Sequence, residues 1–185
     1  SEIYVNSPAN IFNIDKTIEI LTKFGITIEH DNYRVFKIKG NQEYKPTEYN
    51  LEGDWDISSY MMVSAALGGK IKVKNLNYNT DNPNKSIVDV LKDVGAKISI
   101  TDGRVLVENQ KLHPFKFDAS ESPGLFYPMI ALAAYCQGTS KIHGLKKFKS
   151  DKQNDPKMIK NEFAKLGLKI DLIDDTMRIV GGTLT

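Results

Sequence analysis

Five lysines, Lys141, Lys146, Lys147, Lys149 and Lys152, crowd into one short stretch of the chain. Cations spaced this way can hold a phosphate or carboxylate through charge-assisted hydrogen bonds, although a solvated lysine-rich face has the same composition. Ser58 and Ser59 follow Asp54 closely. They are nucleophile types, but no histidine stands near them in sequence to activate them, so helix capping is the better reading of this group. His30, His113 and His143 are far apart and have no carboxylate or cysteine at ligand spacing, so no metal centre is expected. Cys136, within MIALAAYCQG, reads as a small buried hydrophobe rather than a reactive thiol.

Composition narrows the setting. The 185 residues are 41% hydrophobic and 26% charged, which suits one or two small globular domains. A net charge of +2 gives no broad basic field, so nucleic acid is not the expected partner. The longest apolar stretch, Met61 to Gly69, is far short of the roughly 20 residues a membrane helix needs. SEIYVN shows no basic-then-apolar leader, so neither a membrane span nor an export signal is expected. One cysteine permits no intramolecular disulfide, and the expected setting is a reducing, cytoplasmic one.

The elements that would position these residues come in a repeating order. IDKTIEILTKFGITIEHDNYRVFKIKG, NKSIVDVLKDVGAKISITDGRVLVEN and DPKMIKNEFAKLGLKIDLIDDTMRIVGG each combine an amphipathic helix, a glycine and a hairpin, at an interval of about 70 residues. Apolar residues at helical spacing (Ile14, Ile18, Leu21; Ile87, Val90, Leu91, Val94; Ile159, Phe163, Leu166) mark the faces that pack on a sheet. Gly25, Gly95 and Gly167 stand where a left-handed residue ends a helix, and beyond each the period changes to two. Between the copies, DISSYMMVSAALGGKIKVKNL and SPGLFYPMIALAAYCQGTSKIHGL each read as a nearly all-apolar, buried helix followed by a strand.

The predicted fold class is α/β (α+β), built of repeated β-α-β-α-β-β units with sheets packed around buried helices. Two full units follow the tail of another, with a boundary in the polar stretch NQEYKPTEYNLEGD that gives domains 1–48 and 49–185. GGTLT reads as a linker.

These segments resemble the 5-enolpyruvylshikimate-3-phosphate (EPSP) synthase family over nearly the whole chain. IDKTIEILTKFGITIEHDNYRVFKIKG is similar to the family's P-Y-I-D-x-T helix and hairpin, LEGDWDISSYMMVSAALGG to its E-G-D-x-S-S-A crossing segment, and FDASESPGLFYPMIALAAYCQGTSKIHGL to its D-x-x-x-x-P-D segment and G-T-T strand. The resemblance implies an inside-out α/β barrel-like domain of such units. It also implies enolpyruvyl transfer from phosphoenolpyruvate to shikimate 3-phosphate in aromatic amino-acid biosynthesis, with no metal or organic cofactor. By that resemblance 1–48 is the last portion of a unit of the family's other domain, 49–185 holds two full units, and the partners are the two phosphorylated substrates and the rest of a longer chain.

Carried over by position, the family's site is poorly kept. Gly124 follows Pro123 where the family has an aspartate, and Lys152 stands where it has a catalytic glutamate in an ungapped alignment. No catalytic residue is intact. In that alignment Lys149 falls at the first arginine of the R-x-K-E-[ST]-[DN]-R loop, Asp151 at its lysine and Asp155 at its last arginine; a small local gap instead pairs Ser150, Asp151 and Lys152 with the S-D-R tail, and the glutamate is absent either way. An aspartate about 4 Å from a bound phosphate costs several kcal/mol at an intermediate effective dielectric. The implied substrate-binding set is Asn10, Asn13, Asp15, Thr17, Ser59, Lys147, Lys149 and Lys152, with Asn10 and Asn13 in place of the serine and tyrosine that bind shikimate phosphate. Asp56 and Ile57 replace the first pair of the crossing segment. The family's N-terminal K-S and N-G-T segments and its D-H-R-M-A motif are not present, so the chain alone is expected to be inactive. The alternative is a catalytically degenerate module that binds another anion or a partner through the Lys141–Lys152 region.

Overall fold

A computed structural model describes residues 1–8, 10–149 and 155–182. The chain divides into two units, Ser1–Leu51 and Glu52–Thr185.

In the first, β1 (Glu2–Tyr4), α1 (Ile11–Lys23), β2 (Ile28–Asp31) and β3 (Val35–Ile38) form an antiparallel sheet of order β1-β3-β2 under one helix. The second opens with α2 (Trp55–Gly68), β4 (Lys70–Val73), α3 (Ile87–Asp93), β5 (Lys97–Thr101) and β6 (Arg104–Glu108). It continues with β7 (Lys116–Asp118), α4 (Phe126–Tyr135), β8 (Gly138–His143), α5 (Leu145–Lys149), α6 (Pro156–Ala164), β9 (Lys169–Ile173) and β10 (Thr176–Gly181). Its sheets run β4-β6-β5 and β7-β8-β10-β9.

The repeat is visible in the strand order: β1-β3-β2, β4-β6-β5 and β8-β10-β9 each place the hairpin's second strand in the middle. All three preceding helices end alike. Gly25, Gly95 and Gly167 take φ of 88°, 97° and 82° and donate to the carbonyls of Thr22, Lys92 and Ala164. Ile26, Ala96 and Leu168 then donate to Leu21, Leu91 and Phe163, which completes a Schellman motif in each case. The tight hairpin turns are made by residues at positive φ: Asn32 and Tyr33, Asp102 and Gly103, and Asp174.

One expected element is missing. A full unit should open on a strand, as β7 opens the last one, yet residues 41–54 carry none ahead of α2. In NQEYKPTEYNLEGD the apolar residues do not alternate over the length of a strand and Pro46 can donate no ladder hydrogen bond, which disfavours a paired strand there.

α2 and α4 pack on each other and on the sheets of the second unit. Phe126, Met129, Ile130, Leu132, Ala133 and Ala134 are essentially inaccessible on α4, as are Trp55, Met62 and Ala66 on α2. α4 fits the expected all-round burial. α2 departs from it, because Ile57, Tyr60 and Met61 are exposed along one side. Gly181 in β10 lies so close to the Ala133 and Cys136 carbonyls that no Cβ would fit, which lets the central strand reach the end of α4. Cys136 is buried there, and burial pushes its thiol up to about 11. No helix among the described residues is long and apolar enough to cross a membrane.

Candidate functional site

The site assembles where the start of α2, the turn before α3 and the start of α4 converge. Asp54 caps α2, its Oδ1 accepting from the N–H groups of Asp56 (2.7 Å) and Ile57 (3.3 Å). That leaves the Asp56 side chain free to project from the first turn. Asn82 caps the 3-10 turn Pro83–Ser86 by accepting from the Asn84 N–H at 3.0 Å, which orients Asn84. Pro123 opens another 3-10 turn, Pro123–Leu125, which leads into α4 and carries Gly124. These turns bring Asp56, Asn84 and Gly124 together: a Cβ on Gly124 would lie 2.9 Å from Asp56 Oδ1 and 3.2 Å from Asn84 Nδ2.

The Asp56 carboxyl sits above the ordinary carboxylate range because partial burial disfavours its charge, with the Asp54 charge adding to the effect. Tyr60, one turn further along α2, is likewise raised, first by burial and then by Asp56 and Tyr127.

The lysine-bearing stretch is tied to the same end of α4. Phe148 of α5 stacks on Phe126 with ring centroids 4.4 Å apart and meets Tyr127 edge-on at 5.3 Å. Asp175 of the β9–β10 turn fixes the start of α5. Its backbone carbonyl accepts from Gly144 (2.9 Å) and Leu145 (3.2 Å), and its carboxylate from the Lys146 N–H (2.5 Å). Lys146 and Lys147 are exposed.

The expected site residues do not gather in one place. Asp155 spends its carboxylate on capping α6, where Oδ1 accepts from the Lys157 N–H at 2.9 Å, with Pro156 at the first helical position. Ser59 is fully buried and its hydroxyl donates to the Asp56 carbonyl at 2.6 Å, so it presents nothing to a ligand in this arrangement. Lys152, Asp151, the Lys149 side chain and the end of GGTLT lie outside the described residues.

The remaining candidates belong to the first unit. Asn10, at φ 59° ahead of α1, joins Asn13 and Thr17 in lining a cavity of about 310 Å³. Ile3, Ile14, Ile18, Ile28, Phe36 and Ile38 make up the rest of its wall, so its interior is apolar and offers a phosphate no cation. Thr17 already donates to the Asn13 carbonyl at 2.7 Å, and Asp15 accepts from the Tyr33 hydroxyl at 3.1 Å.

Asn84, Tyr60, Tyr127 and Asp175 were not singled out from the sequence. Asn84 sits in a recognisable N-P-N turn, but its approach to Gly124, forty positions away, is a tertiary fact.

The architecture is that of the enolpyruvyl transferases. An EPSP synthase of Acinetobacter baumannii superposes with a TM-score of 0.71, covering 98% of this chain and 42% of that one at 16% identity. The enolpyruvyl transferase NikO of Streptomyces tendae superposes with a TM-score of 0.59, covering 92% and 40% at 16% identity. Within that class the chain belongs to the EPSP synthase (3-phosphoshikimate 1-carboxyvinyltransferase) family, whose model matches residues 2–185. It is 32% identical over 168 residues to the 3-phosphoshikimate 1-carboxyvinyltransferase of Clostridium novyi and 31% identical over 170 residues to that of Aeropyrum pernix. Each alignment covers 91% of this chain and 39% of the relative, so the chain spans about two-fifths of the length of the relatives it matches.

Proposed function

We propose that this chain is a portion of a cytoplasmic 3-phosphoshikimate 1-carboxyvinyltransferase of aromatic amino-acid biosynthesis, contributing part of the surface on which phosphoenolpyruvate and shikimate 3-phosphate meet. The observation that carries the reading is the family match along residues 2–185, together with 32% identity over 168 residues to an enzyme of that name. On this reading 1–48 belongs to one domain of the parent enzyme and 49–185 to the other. Lys146 and Lys147 on α5 favour it too, because a reaction between two polyanions needs cations near the reacting groups. Asn10 and Asn13 then act only together with cationic groups from elsewhere in the parent enzyme, since their own cavity has none.

The alternative, a degenerate anion- or partner-binding module, draws on the absence of a carboxylate at position 124 itself. The two separate in a phosphate-release assay. The 185-residue chain alone is expected to give no turnover of phosphoenolpyruvate with shikimate 3-phosphate. The longer polypeptide that carries it is expected to release phosphate only when both substrates are present. A longer polypeptide that binds neither substrate would leave the module reading in place.

A further inference from the structure

We propose that Asp56, from the first turn of α2, supplies the carboxylate that position 124 lacks, and with Asn84 receives the reacting hydroxyl of the phosphorylated acceptor above Gly124. This rests on the enolpyruvyl-transfer reading.

Geometry is the first support. Gly124 is not at a positive φ, so the backbone does not demand glycine there. Space does. A Cβ at 124 would meet Asp56 Oδ1 at 2.9 Å, closer than real Cβ contacts come, and Asn84 Nδ2 at 3.2 Å. Any larger residue would have to push the carboxylate aside, so Gly124 and Asp56 form a complementary pair: the side chain removed from one segment makes room for the one carried by the other.

Chemistry is the second. Among the described residues neither a backbone N–H nor a side chain donates to the Asp56 carboxylate, and no lysine or arginine pairs with it. An acceptor, Asp56, and an amide donor, Asn84, therefore face the same small space. A hydroxyl is the group that answers both, donating to a carboxylate while accepting from an amide. Among the described residues the charge that acts on the Asp56 carboxylate is that of Asp54 at the cap of the same helix, an anion that does not compete with a donor for it.

A variant series in the longer polypeptide tests this. Asp56→Asn keeps the shape and removes the charge, and it is expected to lower kcat/KM for shikimate 3-phosphate by at least about 100-fold while the KM for phosphoenolpyruvate stays at the wild-type value. Asp56→Ser should fall as far, and adding Gly124→Asp to it should recover at least about tenfold of the loss. Gly124→Asp by itself should lower activity, because two carboxylates cannot share the space. Wild-type kinetics in Asp56→Asn, or no recovery in the double variant, would overturn the role of Asp56 while leaving the transferase reading intact. No turnover by the unmutated polypeptide would overturn both.

Discussion

The two units share their local grammar and differ in what they bury. In each, an amphipathic helix ends at a glycine of positive φ and leads into a hairpin whose second strand is central in its sheet. In the first unit, however, α1 contributes no fully buried residue, and among the described residues Ile26 and Phe36 are the buried hydrophobic ones. In the second, α2 and α4 seat a continuous core that runs from Trp55 to Ile179. Capping, periodicity and turn chemistry are thus enough to specify elements and their order, whereas a dry interior needs a second apolar layer. The first unit has one helix on one three-stranded sheet, and its apolar side remains open as the cavity beneath α1.

Substitutions in the two interiors should show the largest contrast. Phe126→Ala, which removes a fully buried ring that stacks on Phe148, is expected to cost about 3–5 kcal/mol in denaturant unfolding of the second unit. Ile18→Ala, at a half-buried cavity wall, should cost less than about 1.5 kcal/mol, because its methyl groups gain little from burial that is incomplete. Native-state hydrogen exchange is expected to divide along the same line, with amides of β2 and β3 exchanging ahead of those of β8 and β10. Equal mutational costs and equal protection would break the comparison.

A smaller effect sharpens the part of the comparison that the units share. Alanine at Gly25, Gly95 or Gly167 should cost about 1 kcal/mol for the left-handed backbone alone. Their surroundings then set an order. At Gly95 a Cβ would meet the Lys111 carbonyl at 2.9 Å, a rigid backbone contact, so this substitution should be the worst. At Gly25 the neighbours are Lys45 Cγ and Cδ at 3.1 and 3.2 Å, which can move aside, and at Gly167 nothing lies within 4 Å. Thermal melts of the three variants should therefore rank Gly95→Ala below Gly25→Ala, and Gly25→Ala at or just below Gly167→Ala. A reversed order would mean that the three helix ends are not held alike.

That ranking also marks how far the sequence could be read. The three glycines, the hairpins and the apolar character of α4 follow from spacing and residue type, because each is fixed within a few residues of the chain. The open side of α2 was not visible, since Ile57, Tyr60 and Met61 look like core residues until the neighbouring layers are placed. The site was the least legible. Gly124 reads as a loss in sequence; only the convergence of three segments shows a carboxylate standing over it. Asp155, expected to oppose a bound phosphate, is occupied as a helix cap, a role that the following Pro156 already signals.

The smallest expected effect concerns anions and again separates the units. Lys146 and Lys147 stand exposed on α5, which Phe148 and Asp175 hold in place, whereas the cavity of the first unit has Asn10, Asn13 and Thr17 as its polar groups and no cation in its wall. Inorganic phosphate titrated into the 185-residue chain should therefore shift amide resonances around residues 145–149 and leave those of residues 10–17 in place. Exposed lysines each contribute little and are screened by salt, so affinity should be no better than about millimolar at physiological ionic strength. Lys147→Ala should weaken the shifts, and raising the salt severalfold should remove them, because few contacts are buried deeply enough to escape screening. Saturable shifts at Asn10 and Asn13 with none near Lys147 would reverse the assignment. They would place the anion preference in the unit with no core, and the lysines of α5 would then be no more than a solvated face.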